Sequence, residues 1–368
     1  MIKHLHDGDT NKLPGGGPLV FEEQYVNYIF KYIPKDDVRI SVGTIPTSQL
    51  QLGNIITFAL TFSLAQKLKK LGKNVAIKVA LVDSGISFFD KYKFDNVIYQ
   101  KNVVYTGIIN DHMNDYKELL EKLNSHYGGM DYEIIKSSDL NLHKNAPELI
   151  KKIINEREKF GQLLFPLTKC LGLRVPCSHC GLADKNGIKN RYNGDIISFF
   201  CPNHGWHSFD LKKDNLQKLE YETPLRNLIR GILYTKDNKE KNIPYSWLRV
   251  TGSDHAGFYQ EQLFYRGAAM LDIDIINSPL IVYSPLVTDW AGVKLSKAVF
   301  LRGEYKYLTD QGLDYFIDYR KFMGKFDTKG LEVLFDEIDL WLKESPRLFR
   351  HYTIFYFDEL FKTKIKES

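Results

Sequence analysis

The stretch Val42-Gly43-Thr44-Ile45-Pro46-Thr47-Ser48-Gln49-Leu50-Gln51-Leu52-Gly53-Asn54 decides the fold. It follows an apolar run, Val38 to Val42, that reads as a strand, and it leads into a segment from Leu52 to about Lys70 that reads as a helix. A strand, a tight turn and a helix N-terminus form a cradle for phosphate. The first N–H groups of a helix lack internal partners, and the helix dipole adds partial positive charge there. Gly53 leaves room for a ligand against the backbone. Gln51 and Asn54, three apart, share one helix face and can both donate to phosphate oxygens. Taken by itself the stretch fits a polar turn entering a core helix equally well.

The chain on either side strengthens the first reading. Ile55, Ile56, Ala59, Leu60, Phe62 and Leu64 make the helix largely buried, and Gly72 ends it after Lys67, Lys69 and Lys70. Asn74 to Val82 is a nearly continuous apolar run, the pattern of a buried parallel strand. Strand, helix and strand give a βαβ unit, so the expected fold is α/β with a Rossmann-like parallel sheet. Asp83 ends the second strand, where carboxyl ends face a ligand crevice. It could orient a substrate amine or hydroxyl, or serve as an ordinary turn residue. Trp247-Leu248-Arg249-Val250 reads as another buried strand and runs into Gly252-Ser253-Asp254-His255. Gly252 permits close approach of a ribose, whose hydroxyls Asp254 can accept from. His255 fits a contact to substrate or phosphate and a satisfied histidine at a helix start about equally. Leu280 to Tyr283 is a further strand. After it, Lys294-Leu295-Ser296-Lys297 offers two flexible ammonium groups that can follow charge onto a leaving pyrophosphate; a solvated lysine loop is the alternative.

These three pieces, in this order and spacing over roughly residues 36 to 305, resemble the class I aminoacyl-tRNA synthetases. Gln51-Leu52-Gly53-Asn54 is similar to the HIGH motif, Gly252-Ser253-Asp254-His255 to the adenosine-binding strand end, and Lys294-Leu295-Ser296-Lys297-Ala298 to the KMSKS loop. The Pro46-Thr47-Ser48 turn and Asn54 resemble most the class I lysyl-tRNA synthetase group. The resemblance implies ATP-dependent activation of an amino acid, of lysine type, as an adenylate, followed by transfer to the acceptor end of tRNA, with Mg2+ accompanying ATP. It implies catalytic roles for Gln51, Asn54, Lys294 and Lys297. Thr44, Gly53, Gly252, Asp254 and Ser296 would bind ATP, and Gly43, Asp83, His255 and Gln260 the amino acid. The chain departs from the pattern in having Gln51 for the first HIGH histidine, Ser48 for a glycine and Ala298 for a serine. About seventy residues follow Ala298, against a larger anticodon-binding region in the lysyl group.

Cys177-Ser178-His179-Cys180 and Cys201-Pro202-Asn203-His204 form C-x2-C followed by C-x2-H. Three thiolates and an imidazole match tetrahedral Zn2+, and a closed four-ligand shell argues for a structural site. Gly181 and Gly205 follow the two pairs, as tight knuckles require. His207 is an alternative fourth ligand, His179 lies inside the first knuckle, and Cys170 reads as a free thiol. The resemblance places this zinc ribbon, residues 175–208, in a connective insertion of about 84–220 within a catalytic domain of 36–305. An N-terminal arm and helix, 1–35, precede it, and a short helical C-terminal region, 306–368, follows.

The chain has 368 residues, 43% of them hydrophobic and 26% charged, which fits a folded protein with a sizeable core and excludes wholesale disorder. A net charge of +5 permits an RNA or nucleotide partner without requiring one. Twenty-two Tyr and 23 Phe suit core packing first and base stacking second. The N-terminus has no apolar signal segment, no run approaches a membrane span, and the cysteine spacing fits a reducing compartment, so the expected location is cytoplasmic. Between 84 and 165 the chain reads as mostly helical, clearest at Asp111 to Ser125 and Ala146 to Phe160, with a short strand at Tyr132 to Ile135. Tyr221 to Tyr234 reads as a helix whose Arg226 and Arg230 face a phosphate or, more simply, water. Besides an enzyme acting on tRNA, the sequence fits an adenylate-forming paralogue with another acceptor, or a non-catalytic RNA- or nucleotide-binding module.

Overall fold

The computed structural model describes residues 25–296, 299 and 303–367; the N-terminal arm, Lys297 and Ala298 lie outside the described residues. β1 (Asp37–Thr44), β2 (Asn74–Leu81), β3 (Asp131–Lys136), β4 (Tyr245–Gly252) and β5 (Leu280–Ser284) form a parallel sheet in the order β5-β4-β1-β2-β3. Both faces are covered, which is why its strands read as apolar runs.

Strand alternation sorts residues between two cores. Ile40 and Val42 of β1 and Leu248 and Val250 of β4 lie in the first core with α2 (Leu52–Lys70). Out of phase with them, Ser41 and Arg249 point to the other face, beside α4 (Thr223–Lys239) and the second core. Helix α2 spans the residues its pattern predicts. It is buried on nearly every side because α5 (Tyr319–Lys343, two helical pieces that meet at a kink at Asp327) packs over its outer surface, with Leu331, Leu334 and Trp341 in the same core. The C-terminal segment, including α6 (Ile354–Glu367), is thus part of the first core rather than a region apart.

Three expectations need correction. Residues 86–102 are a β-hairpin, Ile86–Phe94 with Val97–Asn102, not helix. It turns on Asp95 and Asn96, both left-handed at φ 48° and 59°, a conformation Asp and Asn tolerate. The strand Asp131–Lys136 falls inside the expected insertion, yet it adds to the edge of the main sheet, and α3 (Ile108–His126) packs in the first core. The helix expected over Ala146 to Phe160 is two, Ala146–Asn155 and Arg157–Leu164, separated at Glu156. Before β1, α1 (Tyr25–Lys31) covers the described part of the expected N-terminal helix.

Candidate functional site

The strand order reverses between β1 and β4, and an open α/β sheet binds ligands in the crevice beyond such a point. A cleft of about 410 Å³ opens there, between the carboxyl ends of these two strands. It brings together Gly43, Thr44, Gln51, Gly53, Asn54, Gly252, Asp254, His255, Lys294 and Ser296, residues spread over more than two hundred positions of sequence.

One wall is the N-terminus of α2. The first N–H groups bonded back into the helix are those of Asn54 and Ile55, both to the Gln51 carbonyl. Gln51 stands in extended conformation at the N-cap, its side chain does not cap the helix, and no acidic residue occupies the first turn. Its Nε2 and the nearby Thr47 Oγ1 are buried without a hydrogen-bond partner, so this wall presents donors with nothing to bind. A Cβ on Gly53 would meet nothing within 4 Å, so the helix start is open to a ligand. Gly43 has a different reason to be glycine: a Cβ there would lie 2.6 Å from the Ala80 carbonyl oxygen of the neighbouring strand.

At the end of β4, Asp254 accepts a 2.5 Å hydrogen bond from Lys294. Burial opposes the charge of Asp254, but Lys294 and His255 more than offset it and hold its carboxyl below the usual range. His255 Nδ1 is buried 3.5 Å from Asp254 Oδ1 without a hydrogen bond, and burial keeps this imidazole below its ordinary pKa, hence neutral at pH 7. A Cβ on Gly252 would stand 2.5 Å from Asp254 Oδ1, so glycine here fixes where that carboxylate sits. Ser296 is held through its N–H on the Tyr305 hydroxyl at 2.7 Å.

The third wall overturns the simpler of the two expectations for Arg226 and Arg230, the one that turned them to water. Arg226 and Arg230 are not solvated; with Arg249 they are 5–7% exposed and line the cleft. Helix α4 is buried almost all round, so the i, i+4 spacing of its arginines marks no solvent face. Arg226 donates to the Tyr221 carbonyl at 2.6 Å, Arg230 to Asn227 Oδ1 at 2.8 Å, and Arg249 to the Tyr259 hydroxyl at 2.7 Å and Ser41 Oγ at 3.2 Å. Burial and the neighbouring Arg249 push Arg230 down to about 10, still protonated at neutral pH. The missed signal was Arg249 itself, a charge at an inward position of an otherwise apolar strand.

Two expected residues lie elsewhere. Asp83 takes the N–H and hydroxyl of Ser138 at 3.0 and 2.7 Å, fastening the turn after β3, and does not line the cleft. Gln260 is exposed on a π-helical segment, Phe258–Gly267, and does not line it either.

Cys177, Cys180, Cys201 and His204 converge, with all four ligand atoms within 4.8 Å of one another. Cys177 Sγ and His204 Nδ1 are 3.5 Å apart, Cys180 and Cys201 Sγ also 3.5 Å, and Cys201 Sγ and His204 Nδ1 3.6 Å. Edges of roughly 3.5–3.8 Å follow from ~2.3 Å metal–sulfur and ~2.0 Å metal–nitrogen bonds in a tetrahedron. The thiols are free, and these separations far exceed the ~2.05 Å of a disulfide. The residues therefore fit a metal ion such as Zn2+. Gly181 and Gly205 take φ of 74° and 75° at the two knuckles, and Ile196–Cys201 pairs with Gly205–Asp210 behind the second. His207 does not belong to the converging group; its Nε2 bonds the Val175 carbonyl at 3.2 Å.

No family model matches the chain, and no curated protein matches it. Among solved structures, it is similar to a Campylobacter jejuni protein called an arginyl-tRNA synthetase (TM-score 0.36, 10% identity, 94% of this chain and 91% of that one). It is also similar to tyrosyl-tRNA synthetase in complex with L-tyrosine from Archaeoglobus fulgidus (TM-score 0.34, 11% identity, 72% of this chain and 60% of that one). At such TM-scores neither likeness carries weight for this chain's fold or chemistry. The α/β assignment rests on the sheet itself.

Proposed function

We propose that the cleft binds ATP and activates the carboxylate of a small acid, an amino acid foremost, as an adenylate. The observation that carries the reading is the pairing of a helix N-terminus bearing unpartnered buried donors, Gln51 Nε2 and Thr47 Oγ1, with the Asp254–Lys294 pair across a sheet switch point. Donors with no internal partner suit phosphate oxygens. Asp254 suits ribose hydroxyls once ATP draws Lys294 onto phosphate, and Gly252 and Thr44 leave the adenosine a close approach. The substrate carboxylate attacks the α-phosphate, and Gln51, Asn54, Lys294 and Lys297 follow the charge onto pyrophosphate, assisted by Mg2+. No covalent intermediate with the protein is needed. A metal held by Cys177, Cys180, Cys201 and His204 would be structural, since all four positions of a tetrahedron are filled by protein.

Transfer of the acyl group to the acceptor end of tRNA is the second step we favour, in keeping with the basic net charge. A non-tRNA acceptor is favoured by one observation: α5 and α6 are committed to the first core, so they are not a separate helical unit for reading a distant RNA element. The test is ATP–pyrophosphate exchange across the standard amino acids with and without tRNA. Exchange dependent on one acid is expected, and its absence for every acid in folded protein that binds ATP would sink the reading.

A further inference from the structure

We propose that the arginine wall of the cleft holds a second carboxylate, one that does not react, so that the compound activated here is a small dicarboxylic acid. This rests on the adenylation reading for the reacting group and extends it to the substrate.

The charge balance of the cleft is lopsided. Among the described lining residues the cations are Arg226, Arg230, Arg249 and Lys294, and the one carboxylate is Asp254, already bonded to Lys294. Arg226 has protein carboxylates nearby, Glu220 at 3.8 Å and shared with Arg174, with Glu222 and Asp83 also acting on its charge, so the imbalance falls on Arg230 and Arg249. The hydrogen bonds of Arg230 and Arg249 end on neutral oxygens, those of Asn227, Ser137, Tyr259 and Ser41. A guanidinium carries five N–H donors, and the bonds of Arg230 and Arg249 leave several unused. Holding such groups out of water against neutral partners is costly, and an anion between them offsets that cost.

Position separates this anion from the phosphates. Arg249 alternates with Leu248 and Val250, which lie in the core under α2, so its side chain is on the opposite face of the sheet. Arg226 and Arg230 come from α4 on that same opposite face. The phosphate cradle at the start of α2 is therefore on one side of the sheet and the guanidiniums on the other. A planar fork of donors matches a carboxylate in bidentate fashion. A lysine-type substrate fits poorly: its side-chain ammonium would face guanidiniums and find no free carboxylate among the described lining residues. An uncharged side chain would leave Arg230 and Arg249 uncompensated.

The test is calorimetric titration of the full chain, without ATP, using L-glutamate, L-aspartate, glutarate and succinate. L-glutamine, L-asparagine and L-lysine serve as neutral and cationic controls, and ATP is titrated separately. We expect one dicarboxylate to bind at least roughly tenfold more tightly than the controls. In R230Q and R249Q, checked for folding by circular dichroism, that preference should shrink to less than about threefold while ATP affinity stays within about threefold. The ligand comparison on the unsubstituted chain decides the matter even if a variant does not fold. Equal or tighter binding of a control, or no dicarboxylate binding by protein that binds ATP, would overturn the proposal. So would loss of ATP binding in the folded variants, which would assign the arginines to phosphate. Exchange driven by L-lysine but by no dicarboxylate would overturn it and leave adenylation standing. Dicarboxylate preference without any exchange would uphold the arginine site and remove adenylation.

Discussion

Gly252 and Gly43 are both glycines at strand ends by the cleft, and they answer to different neighbours. At Gly252 a methyl group would meet Asp254 Oδ1 and displace the carboxylate assigned to the ribose, with no backbone in the way. Gly252→Ala should therefore fold normally and weaken ATP binding by about tenfold, the scale of one lost charged hydrogen bond, as read by calorimetry. At Gly43 the obstacle is the Ala80 carbonyl of the next strand. Gly43→Ala should cost about 1–3 kcal/mol of stability in denaturant titration, because overpacking moves β1 from β2. Gln51→Ala removes a donor that has no partner in the free protein, so it should slow exchange at least roughly tenfold without lowering the melting temperature. The sequence made Gln51, Gly53 and Asn54 readable because a helix start is a local arrangement. It hid Arg230 and Arg249 because part of their surroundings, Ser137 and Ser41, comes from far along the chain.

Among the elements, α2 was read to its ends from apolar run, lysines and Gly72, since strand–helix–strand signals are short-range. The hairpin at Ile86–Phe94 and Val97–Asn102 was missed because its charged, aromatic strands lack clean alternation and its turn uses Asp95-Asn96 in place of a glycine. The cysteine knuckles were readable because ligand spacing within each pair is sequential; that they close on one point is the contribution of the strands between them. Their role is testable at this scale. Cys177→Ser should lose the bound metal by elemental analysis and lose hydrogen-exchange protection over 177–210, while β1 and β2 remain protected. A metal-free native chain with full protection in that segment would rule out a structural ion.

At the scale of the molecule, the C-terminal helices decide how many folding units there are. Leu334 is fully buried in the core that also holds α2 and the sheet. Leu334→Ala should cost about 2–5 kcal/mol in a transition shared by sheet and tail, not in a separate early one. Acid should act on the same unit. His255 and His351 have pKa values lowered by burial, and His351 Nδ1 accepts from the Leu286 N–H at 3.4 Å, a bond a proton would break. Both imidazoles bind protons less tightly folded than unfolded, so stability is complete above about pH 6.5 and falls as pH drops below it. The denaturation midpoint should be lower at about pH 5.5 than at about pH 7.5, and H351Q should flatten that slope. Among the described residues no helix is long and apolar enough to cross a membrane. What joins sheet, cleft and both cores into one account is the chemistry at the switch point. The measurement that addresses it most directly is mass spectrometry of a single-turnover mixture of protein, ATP, Mg2+ and candidate acids. The account predicts an acyl-adenylate and pyrophosphate in equal amounts; ADP with phosphate, or intact ATP bound to folded protein beside every acid, would contradict it.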